Sequence, residues 1–275
     1  MKINRRLQRL ISAWFALVAL MVAAIAFVAP SAIANQSIPP DRSVAVLRVY
    51  GPSGPAPAIR EAAKAFEAAT GKTVKVIAAP THRWKDQAMK DADVVFSGSQ
   101  FMMTDFVRKD LPGLIDLSSI QELYPRPSGI LVRPGNPRQI RSIGDLAKPN
   151  TRILVVEGSG QTGLWEDVVG RAGNVDLLGK VRNNIQYYAA YSAEAKQKWN
   201  SDPSIDAWLT WTIWHKENPG SSELVNTDPE STIYRTGLIA LASRSEHQST
   251  GKEFTRFLKS AKGEEIFVKW GWDAA

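Results

Sequence analysis

Three times in this chain an apolar strand pattern runs through a short Gly/Ser loop into a helix pattern. The loops are Gly51-Pro52-Ser53-Gly54-Pro55, Ser97-Gly98-Ser99 and Gly158-Ser159-Gly160-Gln161-Thr162-Gly163. Strand and helix patterns alternate along almost the whole chain, which predicts α/β layers over a largely parallel sheet. A glycine-rich turn that opens a helix presents unpaired N–H groups and the positive end of the helix dipole. Three such turns, with little catalytic apparatus elsewhere, point to a pocket for a small anion.

The N-terminus carries Lys2, Arg5, Arg6 and Arg9 and no acid, then an apolar run from about Leu10 to Val28 and Ala32-Ile33-Ala34. This is the pattern of a secretory signal peptide over residues 1–34, cleaved after Ala34; an uncleaved membrane anchor is the alternative. Cleavage removes four cations, so the formal charge falls from +7 to 7 − 4 = +3. A nucleic-acid-binding role loses its electrostatic support with them. The chain has no cysteine, which excludes disulfide scaffolds, thiolate metal sites and thiol catalysis together. Stability must come from the core.

Strands are expected over 44–50, 74–78, 93–96, 130–132, 152–156, 185–191, 205–211 and 233–242. Helices are expected over 56–69, 84–90, 101–109, 143–147, 164–171 and 193–200, and in two C-terminal segments, 252–260 and 264–270. Two βα blocks with long strands between them predict two lobes joined by crossing segments near 129–133 and 233–237. Residues 35–130 and 236–275 would form one lobe and 131–235 the other. Ligands of α/β sheets bind at the carboxyl ends of strands, so the cleft between lobes is the expected site.

Gly158–Gly163 matches G-x-G-x-x-G. A dinucleotide site also needs an acid at the end of a second strand about 20 residues on, and Asp176 lies in helix or loop instead. A P-loop fails because Leu164 and Trp165 replace the Lys-Ser/Thr pair. An anion-binding helix start, with Ser159, Gly160, Gln161 and Thr162 as donors, is the better reading. Ser53 and Gly54 are expected at the ligand, although the neighbouring prolines also suit a plain turn. Ser97, Gly98 and Ser99 can cap a helix and bind a ligand with the same donors. Arg133 and Arg235 stand on the crossing segments, where a guanidinium could pair with the anion. Thr210 and Trp211 are the cleft-wall candidates among the tryptophans at 208, 211 and 214. No G-x-S-x-G elbow, histidine pair at ligand spacing or carboxylate pair stands out, so no catalytic, metal or cofactor site is expected.

With those residues in place, the chain resembles a type II periplasmic solute-binding protein of the molybdate/sulfate-binding superfamily, and most closely the accessory colonization factor C group. The likeness rests on Val49–Pro55, Asp91–Ser99, Val132–Pro137 and Gly158–Asp167. It implies two α/β lobes around a hinged cleft and a sulfate-, molybdate-, phosphoglycerate- or citrate-like ligand. The expected contacts are Ser53, Ser97–Ser99 and Ser159–Thr162, with one further contact near Trp211. It also implies a periplasmic location, an inner-membrane ABC transporter and a second copy of the chain as partners, and no cofactor. Pro134 stands where a lysine is common, which removes a basic contact there. A surface adhesin that keeps the binding fold is the alternative function.

Overall fold

The computed structural model describes residues 45–158 and 160–274. The expected signal peptide and Ser159 lie outside them. In chain order the main elements are β1 (Val46–Gly51), α1 (Ala56–Thr70), β2 (Thr73–Ala78), α2 (Lys85–Asp91), β3 (Val94–Ser97) and α3 (Gln100–Asp105). Then follow β4 (Gln121–Val132), β5 (Ile153–Val156), α4 (Leu164–Gly170), α5 (Val175–Asn184), β6 (Ile185–Ala189) and α6 (Ser192–Ser201). The chain continues through β7 (Ala207–Trp211), α7 (Ile213–Glu217), β8 (Glu223–Asn226), β9 (Tyr234–Leu241), α8 (Gln248–Leu258) and α9 (Ala261–Lys269).

The strand order is β2-β1-β3-β9-β4-β7-β5-β6, with β8 beside β4. Each lobe has a parallel centre: β1 lies between β2 and β3 in the first, and β5 lies between β6 and β7 in the second. The linking strands are antiparallel. β9 pairs with β3 and β4, and β4 pairs with β7 and β8. The sheet is therefore mixed rather than largely parallel, because the two linking strands run against the strands they join.

β4 is the main departure from the sequence reading, which had only 130–132 as strand. It is 12 residues long and contains Pro125 and Pro127. A strand tolerates proline where no ladder N–H is required. Here both carbonyls still serve: Pro125 O accepts from Asp273 N at 2.8 Å and Pro127 O from Thr212 N at 3.1 Å. Through Pro127 the strand pairs with β9 of the first lobe, and from Ser128 with β7 of the second. At the change of partner Ser128 N donates to Ile233 O at 2.8 Å and Ile233 N to Ser128 Oγ at 3.0 Å. The two crossing segments are thus bonded side by side.

Val94, Val95, Phe96 and the four residues of β5 are all buried, as expected of strands covered on both faces. Phe66 of α1 meets Phe254 and Phe257 of α8 edge-on at 5.4 and 5.6 Å, so the C-terminal helices return to the first lobe. α1 ends at Gly71, whose φ of +70° makes the left-handed cap.

Candidate functional site

The carboxyl ends of β1, β2 and β3, the middle of β4 at Arg126 and the start of α6 converge on a narrow cleft. The space between its walls, mouth included, is about 440 Å³.

At the floor is Arg126, between the two prolines of β4. It is 3% exposed, with its guanidinium between the rings of Trp211 at 4.6 Å and Trp272 at 5.4 Å. Its Nη2 donates to Gly98 O, while Nε is buried without a partner. No carboxylate pairs with it among the described residues. Burial, and then the positive charge of Arg235, push its pKa down to about 9. A buried cation without an acid is costly to the fold unless something else supplies the negative charge.

The glycines of the loops make room for this side chain. A Cβ on Gly98 would lie 2.8 Å from Arg126 Nη2, and one on Gly54 would lie 3.3 Å from Nη1. Around the guanidinium, apolar side chains such as Pro52, Pro80 and Met102 alternate with a few hydrogen-bonding groups. Ser53 and Gly54 precede α1, which has neither a side-chain cap nor an acid in its first turn. Across the cleft Tyr191, Ser192 and Ala193 form the start of α6, a ten-residue helix whose positive end faces the space. Trp214 also lines it, 2% exposed with an unpartnered indole N–H. No Asp or Glu lines this cleft among the described residues.

Of the expected residues, the fold brings Ser53, Gly54, Gly98 and Gln161 to the cleft wall. Others stand behind them. Ser97 Oγ donates to Ser99 O at 3.0 Å, and Ser99 Oγ accepts from Met102 N at 3.2 Å to cap α3. Thr210 Oγ1 donates to Gln161 Oε1 at 2.9 Å, which turns the amide so that Nε2 donates to Ser192 Oγ at 2.8 Å. Trp211 is the platform under Arg126. Gly160, Thr162 and Arg235 border an adjoining cavity on the other side of Met102.

Arg133 is not brought to the cleft. Its Nε donates to Ile205 O at 2.7 Å, and its Nη2 donates to Trp199 O at 3.0 Å and Asp202 O at 2.7 Å. Its guanidinium lies 3.7 Å from the Trp199 ring centroid. Those carbonyls end α6 and the loop after it, so this arginine holds the second lobe together. Pro134 is outside the cleft as well.

Sequence reasoning missed Arg126, Tyr191, Ser192 and Trp214. Arg126 was hidden because Pro125-Arg126-Pro127 does not read as strand. Ser192 carried a usable signal, a serine directly after a strand and directly before a helix. The third Gly/Ser loop contributes Gln161 alone among its described residues, and the helix start that faces the cleft in this lobe is that of α6. Among the described residues no His/Asp/Glu cluster could hold a metal, and no helix is long and apolar enough to cross a membrane.

A comparison with curated proteins finds no match. Solved structures do match. Peb3 from Campylobacter jejuni shares 33% sequence identity over 83% of this chain and 100% of its own, with a TM-score of 0.75. PEB3 bound to L-phospholactate has the same identity and coverage at a TM-score of 0.77. The sulfate-binding protein SubI from Mycobacterium tuberculosis H37Rv, at 16% identity, covers 84% of this chain and 87% of its own with a TM-score of 0.69; that likeness is one of fold alone. The architecture is the two-lobed fold of periplasmic binding proteins. A family model for bacterial extracellular solute-binding proteins matches residues 47–273. The chain belongs to that family of solute-binding proteins.

Proposed function

We propose that the chain is an exported receptor that closes on a small organic anion, a phosphorylated or carboxylated acid, for delivery to a transporter. The observation that carries this reading is Arg126, a guanidinium 3% exposed with a free Nε–H, no acid partner among the described residues and a cleft above it. An anion there supplies the missing countercharge. Ser53, Ser192, the Trp214 indole and the first-turn amides of α6 stand around the same space as donors. Hydrogen bonds involving a charged group contribute about 1.5–3 kcal/mol each. Four or five of them, less the cost of closure, reach about −8 kcal/mol, a micromolar Kd. PEB3, at 33% identity, has been crystallised with L-phospholactate, a ligand of this chemistry.

The test is calorimetry on residues 35–275 with L-phospholactate, 3-phosphoglycerate, citrate, sulfate, molybdate and inorganic phosphate. A Kd of tens of micromolar or tighter for at least one of the organic acids is the expected result. Absence of heat and of thermal stabilisation with all six would remove the anion-receptor reading and leave a surface interaction protein that keeps the fold.

A further inference from the structure

Arg235 stands on β9 directly across from Arg126 on β4. Two arginines opposite each other on neighbouring strands repel, and the charge of Arg235 is one of the two causes that depress the Arg126 pKa. Such a pair persists only if both side chains have other work. Arg126 faces the ligand cleft. Arg235, the last residue of the expected second lobe, pairs in β9 with the first-lobe half of β4 and from there reaches to the Gly/Ser loop of the second lobe. Its Nη1 donates to Gly160 O at 3.0 Å, and its Nη2 donates to Thr162 O at 3.2 Å and to Asp167 Oδ2 at 2.9 Å.

The two carbonyls it grips flank Gln161, whose side chain lines the cleft. In the same loop Gly160, with φ +83°, lies where an added Cβ would be 3.1 Å from Ser99 Oγ of the first lobe. The lobes therefore touch at this loop, and Arg235, only 13% exposed in its side chain, fastens it to the β4–β9 pair.

We propose that Arg235 is a clasp that holds the lobes closed and places Gln161 against the ligand. An anion on Arg126 screens the repulsion between the two arginines, so occupancy of the cleft and closure of the clasp reinforce one another. The ligand's share in this rests on the anion-receptor reading; the clasp itself does not.

The natural chain has no cysteine, so a pair introduced as Asp86→Cys and Gln197→Cys, both exposed and on opposite lobes, reports the interlobe distance by fluorescence transfer. In this background Arg235→Met should shift the distance distribution longer, both without ligand and with saturating L-phospholactate. It should also raise the L-phospholactate dissociation rate roughly tenfold or more, with association within about threefold. Asp167→Asn should move both in the same direction by less, and Arg235→Lys should fall between Met and the parent. A residue that merely stabilised the fold would lower the melting temperature without altering the distances. Superimposable ligand-free distances in the parent and Arg235→Met proteins would overturn the clasp. If the parent fails to bind L-phospholactate, the ligand-free distances still decide the clasp, and the functional reading fails separately.

Discussion

Replacing Arg126 by methionine separates a ligand-binding arginine from a structural one. Burial and the facing charge of Arg235 hold the Arg126 pKa down to about 9, so carrying this charge inside the fold costs several kcal/mol. Against this stand the charged hydrogen bond to Gly98 O, about 1.5–3 kcal/mol, and two cation–π contacts of about 0.5–2 kcal/mol each. The opposing contributions nearly cancel. Methionine keeps the length, remains between Trp211 and Trp272 and carries no charge. The ligand-free variant should therefore be as stable as the parent or up to about 2 kcal/mol more stable. For a domain of this size that is a rise in Tm of up to roughly 4–8 °C. Binding should suffer far more. Truncating one partner of a buried, hydrogen-bonded charge pair costs about 2–5 kcal/mol, and no second cation without a partner lines this cleft among the described residues. Affinity for L-phospholactate should fall between about thirtyfold and several thousandfold. Urea denaturation without ligand and calorimetry with it measure the two quantities independently. A ligand-free protein destabilised by more than about 3 kcal/mol, with affinity kept within fivefold, would refute the reasoning and make Arg126 a packing residue.

Gly98→Ala introduces a Cβ 2.8 Å from Arg126 Nη2 and should weaken binding at least roughly tenfold by displacing the guanidinium, with the circular-dichroism spectrum unchanged. Arg133→Ala should do the reverse: it frees three carbonyls and costs about 2–4 kcal/mol of stability by denaturation, with ligand affinity within twofold. The pH dependence follows from the depressed Arg126 pKa. Affinity should be level through this group from pH 6 to 8 and fall about tenfold per unit once the free protein loses its proton above about 9. The same group makes the ligand-free fold more stable as pH rises above about 9, because the unfolded chain then holds a proton that the folded one has released. Calorimetric titrations across that range, with thermal melts in parallel, would refute this assignment if affinity held to pH 11.

Much of the architecture was legible because it follows from local pattern. α1 was expected over 56–69 and occupies Ala56–Thr70, since Pro57 suits a first turn and Gly71 the left-handed cap. The strands β1, β3 and β5 are short apolar runs next to the Gly/Ser loops, and the loops do bring Ser53, Gly54, Gly98 and Gln161 to one cleft. β4 was legible only at its last three residues, because a proline on either side of Arg126 argues against a strand unless the pairing partners are known. α7 and β8 carried no local signal that rose above loop.

The sequence by itself determined the alternation of strand and helix, the glycine-lined turns and the absence of any thiol, since each is read from composition or from residues near one another in the chain. Tertiary structure alone decided which arginine faces the cleft. Arg126, Arg133 and Arg235 look alike as isolated residues on or near the crossing strands. Their fates differ because Arg126 is enclosed by Trp211 and Trp272 with no acid partner among the described residues, Arg133 meets the carbonyls that end α6, and Arg235 meets Asp167. A guanidinium takes its role from the partners around it, and those partners arrive from distant parts of the chain only when the sheet has formed.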